Sequence, residues 1–247
     1  MNAPSPDNAR QTESEPQPFS DVTAAAEAGW AAAAADLFGD RLSAAVAYHD
    51  SLATAGSIRG LNGPREVPVL WDRHLINSAL LALLPKAVLP HGATVCDVGS
   101  GAGLPGIPLA LARPDLYITL LDPLERRINY LNEIVAELDL PNVVVQRGRA
   151  DYADATGPDT FYGSFNVVTS RAVAPLKRLL AMCLPLVGDG GVVLAMKGRA
   201  AEEEIAALSP RLRRQSGSMK ILECNSADKR HSARVIVAYP GAKDRSF

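Results

Sequence analysis

Val95-Cys96-Asp97-Val98-Gly99-Ser100-Gly101-Ala102-Gly103-Leu104-Pro105-Gly106 runs from an apolar strand-like segment into a glycine turn and out into a sequence fit to begin a helix. Gly99, Gly101 and Gly103 alternate through the turn, admitting positive φ and removing Cβ atoms where a ligand must approach backbone. Pro105 suits a first helical turn, where no amide hydrogen is missed. Strand, glycine turn and helix in this order make the architecture of a nucleotide-cofactor site.

The choice of cofactor follows from what the turn lacks. A dinucleotide fingerprint needs its third glycine at position 104, which is Leu, and a phosphate loop needs a Gly-Lys-Ser/Thr end, which is absent. With no cation in the turn, a ligand without phosphates is expected. S-adenosylmethionine (SAM), an adenosine joined to a zwitterionic sulfonium amino acid, is such a ligand, and a carboxylate such as Asp97 suits its charge. The next apolar run, Tyr117-Ile118-Thr119-Leu120-Leu121-Asp122, ends in an acid about twenty residues past the glycines, the spacing at which a carboxylate accepts hydrogen bonds from ribose hydroxyls.

The 247 residues suffice for one sizeable core with an appendage. No apolar run approaches the ~18 residues of a membrane span, and the Pro/Ser/Glu-rich start lacks the apolar region of a secretory signal, so a cytoplasmic protein is expected. Cys96, Cys183 and Cys224 are odd in number and set among apolar residues, which predicts buried thiols. His49, His74, His91 and His231 show no metal-ligand spacing, and no metal is expected. Net charge is −2, but from Arg171 onward there are 14 Lys/Arg against 7 Asp/Glu, so a polyanionic partner is expected on one side.

Along the chain, residues 1–19 read as a disordered, proline-containing tail, 20–90 as a helical extension, and 91–247 as the cofactor-binding domain. The extension predicts an Ala-rich helix from Ser20 to Ala55, with Ser20 or Asp21 as its cap, and a second helix over 69–84. Strands are expected at 94–98, 117–122, 142–146, 165–170 and 190–197, with helices at 104–112, 124–138, 173–186 and 200–213. Runs such as Val143-Val144-Val145 suit strands covered on both faces, hence a doubly wound parallel sheet. Met219–Cys224 and Ala233–Tyr239 are joined too closely for a parallel crossover, so the last strand should run antiparallel. The expected fold is therefore α/β, the Rossmann-like class I SAM-dependent methyltransferase sheet behind N-terminal helices.

From about Trp71 onward the chain resembles the glucose-inhibited division protein B family, the bacterial small-subunit ribosomal RNA guanine-N7 methyltransferases. The resemblance rests on Asp97 to Pro108, Leu120-Leu121-Asp122, Ser170-Arg171-Ala172, Met196-Lys197-Gly198 and Lys229-Arg230-His231, in that order. It implies a single-chain, monomeric enzyme with a SAM cofactor, 16S ribosomal RNA in the small ribosomal subunit as substrate, and low-level streptomycin resistance on loss. By motif, Gly99, Gly101, Gly103 and Leu104 would wall the cofactor, Asp122 would hold its ribose, and Ala150 and Asp151 would flank its adenine. Arg149, Arg171 and Arg230 fall where the family keeps arginines near cofactor and RNA. One departure is Asn77-Ser78, where the family usually has Asp-Ser.

Guanine N7 carries a lone pair and no proton, so its methylation needs positioning and no general base. That agrees with a sequence showing no nucleophile paired with a base and no pair of catalytic carboxylates. The residues alone leave two other readings open: a methyltransferase of another RNA or a small molecule, and an RNA-binding module that keeps the fold without catalysis. His74 reads as a packing or interfacial histidine, Trp30 and Trp71 as helix-packing residues, and Lys197 as a strand end.

Overall fold

The computed structural model describes residues 29–56, 59–61, 63–150, 161–171 and 174–241. The tail at 1–19 and the cap at Ser20 or Asp21 lie outside them. The described chain begins with α1 (Ala31–Phe38) and α2 (Leu42–Ser51). The continuous helix expected to Ala55 is broken at Gly39, whose φ of 47° is left-handed, and a 3-10 turn Gly39–Arg41 separates the two helices. The helix expected over 69–84 is a run of unlike turns: a 3-10 helix Pro64–Val69, a π-helix Leu70–Ile76, one α turn α3 (Asn77–Ala79), and a 3-10 helix Leu80–Leu83.

Then come β1 (Thr94–Val98), α4 (Gly106–Ala112), β2 (Tyr117–Asp122), α5 (Glu125–Glu137), β3 (Val143–Arg147) and β4 (Phe165–Arg171). They are followed by α6 (Leu176–Cys183), β5 (Val187–Lys197), α7 (Ala201–Ala206), α8 (Pro210–Ser216), β6 (Ser218–Asn225) and β7 (Ser232–Tyr239). The expected helix 200–213 is two helices, because Ser209 accepts the Leu212 amide and Pro210 opens a new first turn. Helix α4 starts two residues later than expected, with Pro105 as its N-cap.

The seven strands form one sheet in the order β3-β2-β1-β4-β5-β7-β6. The first five are parallel, and β7 is antiparallel to both β5 and β6. This is the sheet that the glycine turn and the short terminal hairpin predict. Alternate strand residues enter two cores: Val95, Ile118, Leu120, Val167 and Leu194 face one, Cys96, Leu121, Val168, Val193 and Ile236 the other. The first core also holds Tyr48, Trp71, Leu75 and Ile76, so the N-terminal helices and the sheet share one apolar cluster. Trp30 stacks on Trp71 with centroids 4.0 Å apart, a packing role for both. The three cysteines are buried free thiols. Among the described residues no helix is long and apolar enough to cross a membrane.

The chain order reverses beside β1: β2 lies on one side and β4 on the other. Ligands of open α/β sheets bind outside the carboxyl ends of strands at such a switch point. The glycine turn leaves β1 there.

Candidate active site

The turn is held from both sides. The amides of Gly99 and Ser100 donate to the Leu121 carbonyl, and the Ser170 hydroxyl donates to the Val98 carbonyl at 2.8 Å, tying the ends of β2 and β4 to the start of the turn. Gly101 has φ 61°, so a side chain there is strained even though its Cβ would meet nothing closer than 3.8 Å. Gly103, at φ 101°, is glycine for the same reason and for a second one. Its Cβ would fall 2.4 Å from Ile107 Cδ1 and 3.0 Å from the Tyr48 hydroxyl. That hydroxyl, fully buried, donates to the Ala102 carbonyl at 2.7 Å. A residue of α2 thus pins the turn.

Asp122 closes β2 against the same turn. Its Oδ2 accepts the Gly101 amide at 3.0 Å and its Oδ1 the Leu124 amide at 2.9 Å. Arg127, on α5, donates to Oδ2 at 3.1 Å. Asp97 lies beneath the turn, wholly buried; its Oδ2 accepts the Gly106 amide at 2.9 Å, while Oδ1 has no partner. Burial pushes its carboxyl up to about 7, opposed by the Gly106 amide.

Arg171 ends β4, and its guanidinium is turned onto the helical run 70–78. It donates to the carbonyls of Arg73 and His74, to Ser78 Oγ at 3.0 Å, and to His74 Nδ1 at 3.1 Å. On its other side, His74 meets Glu66 through Nε2 at 2.7 Å. Burial lowers the His74 pKa, as does the nearby Arg171 charge, against the raising effect of the Glu66 hydrogen bond.

A cavity of about 490 Å³ opens over the turn, within the size range of small-molecule sites. Gly99, Gly101, Leu104, Asp122 and Arg171 line it, together with Leu61, His74 and Arg127. Gly103 and Ala150 do not line it. Ala150 is buried in the second core, next to Arg149, which has interactions of its own. Asp151 lies outside the described residues. Arg230 sits on the turn between β6 and β7, with a side chain 69% exposed and 3.7 Å from Asp228.

Sequence reasoning set His74 aside as a packing residue and did not single out Leu61, Arg127 or Tyr48. Arg127 was open to discovery, since the first turns of the helix that follows Asp122 face back over that carboxylate. The partners of Arg171 were not, because they come from another part of the chain. Nor is the cavity free of cations, as the turn is; Arg127 and Arg171 reach it from other elements, already bonded to Asp122 and to the helical run.

The site fits SAM in its donor set. The carboxylate at Asp122 suits ribose hydroxyls, and the unpartnered buried oxygen of Asp97 beneath the turn matches a ligand that carries positive charge. Solved structures share the fold. One is a putative S-adenosyl-L-methionine-dependent methyltransferase from Methanococcus maripaludis, at a TM-score of 0.50 and 13% identity over 78% of this chain and 94% of that one. Relatives at higher identity carry the name ribosomal RNA small subunit methyltransferase G. The protein of Corynebacterium glutamicum is 52% identical over 186 residues, 75% of this chain and 80% of its own. That of Streptomyces coelicolor is 55% identical over 179 residues, 72% of this chain and 71% of its own. The family described as rRNA small subunit methyltransferase G is matched over residues 41–233, and the chain belongs to that family.

Proposed function

We propose that the glycine-turn cavity holds SAM and that the RNA reaches it from the Arg171 side. The chain is a SAM-dependent rRNA methyltransferase, and its reaction is methylation of guanine N7 in 16S rRNA. SAM, when bound, supplies a methyl group on a sulfonium; the N7 lone pair forms the new bond, the C–S pair stays on sulfur, and the guanine takes the positive charge. No proton moves, so the work left to the protein is placement.

Gly99, Gly101 and Leu104 form the wall against the cofactor, and Asp122 holds the ribose. Asp97 supports the amino-acid end through the charge beneath the turn. Arg171 sets the acceptor's side of the cavity. Because guanine N7 becomes cationic, Arg171 does not donate to it; O6 or the RNA backbone is the compatible contact. Arg149 and Arg230 serve RNA placement, Arg230 from an exposed turn where a phosphate is accessible. The observation that carries this reading is Asp122, which the fold holds against the Gly101 amide in the wall of the cavity.

The assembled small subunit as substrate, a monomeric enzyme and a cytoplasmic site of action belong to the same reading. The test is Arg171→Ala in single turnover at saturating SAM and RNA. A reduced methylation rate with SAM affinity retained is expected. The parental rate would remove Arg171 from the site.

A further inference from the structure

A second cavity, of about 460 Å³, adjoins the first, and Arg171 is the residue that lines both. It opens where β5 ends at Met196-Lys197-Gly198 and β7 begins at Ser232, at the carboxyl edge of the parallel strands. We infer that this cavity is the subsite for the acceptor nucleotide, a guanosine together with a flanking phosphate. The inference rests on the methyl-transfer reading of the first cavity and adds where the acceptor lies and which groups receive it.

The chemistry of the walls carries it. Met196, 5% exposed and packed in the first core, contributes an apolar edge to the wall. The Asn77 amide is oriented by donating Nδ2 to the Ser232 carbonyl at 2.8 Å, which leaves Oδ1 as an acceptor. Guanine presents N1–H and N2–H on the edge away from N7, so an acceptor there holds the base by the edge that is not methylated. Three of the four cations around the cavity are already engaged. Lys197 donates to Glu204 and to the Ala174 carbonyl, Arg234 pairs with Glu202 and Glu223, and the Arg171 guanidinium is bonded to the helical run. Arg199 differs. It is exposed on the rim, and among the described residues no carboxylate lies within ion-pair distance of it. A phosphate supplies the missing anion.

Gly198 provides a test, since a Cβ there would meet nothing within 4 Å and its φ is not in the left-handed region. A larger side chain is therefore accepted by the fold and intrudes on the cavity. Gly198→Leu and Arg199→Glu are to be compared with the parental protein by SAM calorimetry, thermal unfolding and single-turnover methylation of small subunits at saturating SAM. For Gly198→Leu, SAM affinity within about twofold of parental and a methylation rate lowered at least ~10-fold are expected. Arg199→Glu, which alters only an exposed side chain, should raise the half-saturating RNA concentration and reduce the salt slope of RNA binding by about one. Parental methylation and RNA affinity in both variants, with SAM binding intact, would overturn the subsite and leave the cofactor reading standing. Absence of SAM binding in the parental protein would overturn the cofactor reading and the subsite with it.

Discussion

His74 Nδ1 and the Arg171 guanidinium stand 3.1 Å apart, and because a guanidinium only donates, the imidazole must accept. The ring proton therefore resides on Nε2, where it is donated to Glu66 at 2.7 Å. Glu66, His74 and Arg171 form a chain in which a neutral histidine, ordered by a carboxylate, orients the arginine between two cavities. Arg73 is the other charged group near this imidazole.

Protonating His74 places an N–H against the guanidinium and breaks the chain. Burial holds the His74 pKa below its ordinary value of 6.5, so the neutral ring persists through neutral pH. In the unfolded chain the ring takes up its proton at higher pH, so the contribution to stability is present above about 6.5 and lost as pH falls through the lower folded value. Methylation at saturating SAM and RNA should show an acid limb in the same direction. His74→Gln, which offers an acceptor and does not titrate, should lack that limb; a pH–rate profile checks it.

Asp97 titrates with the opposite consequence. The folded protein keeps the carboxyl proton up to about pH 7, whereas the unfolded chain releases it near the ordinary aspartate value of 3.8. Between these values the folded state binds more protons, so stability falls as pH rises from about 4 to 7. Asp97→Asn keeps an acceptor for the Gly106 amide and removes the cost of a buried charge. Its melting temperature should exceed the parental one at pH 7 to 8, and the gap should close below pH 4. Its SAM affinity should be lower, which calorimetry measures.

Asp122→Ala should weaken SAM by about 1–3 kcal/mol, the scale of lost charge-assisted hydrogen bonds. S-adenosylhomocysteine should weaken equally, since it carries the same ribose. Arg127→Ala should cost less, because the Asp122 bonds to the Gly101 and Leu124 amides survive it. Titration of both ligands into both variants tests the order.

Tyr48→Phe removes one hydroxyl and leaves the Ala102 carbonyl buried without its donor. A loss of about 1–3 kcal/mol of stability is expected from denaturant unfolding. SAM affinity should fall as well, because the hydroxyl fixes the turn that lines the cavity.

What was readable in the sequence was local. The segments 94–98 and 117–122 coincide with β1 and β2 because buried parallel strands announce themselves as apolar runs, and the glycine turn announces itself by composition. The breaks at Gly39 and at Ser209-Pro210 were also written in the chain, as a helix stop and a cap, but the strong apolar spacing on either side masked them. The Arg171 network joins residues 97 positions apart and has no local signal. The basic C-terminal third is less available than its count suggests. Lys197 and Arg234 pair with internal acids, and Arg213 donates to the carbonyls of Ile205, Ala206 and Leu208 at the end of α7.

The most direct measurement is transfer of a tritiated methyl group from SAM to small ribosomal subunits of a strain lacking this enzyme, followed by nucleoside analysis of the 16S rRNA. The account predicts label in 7-methylguanosine with the parental protein, and strongly reduced label with Asp122→Ala. Label in another nucleoside, or none in rRNA from a protein that binds SAM, would contradict it.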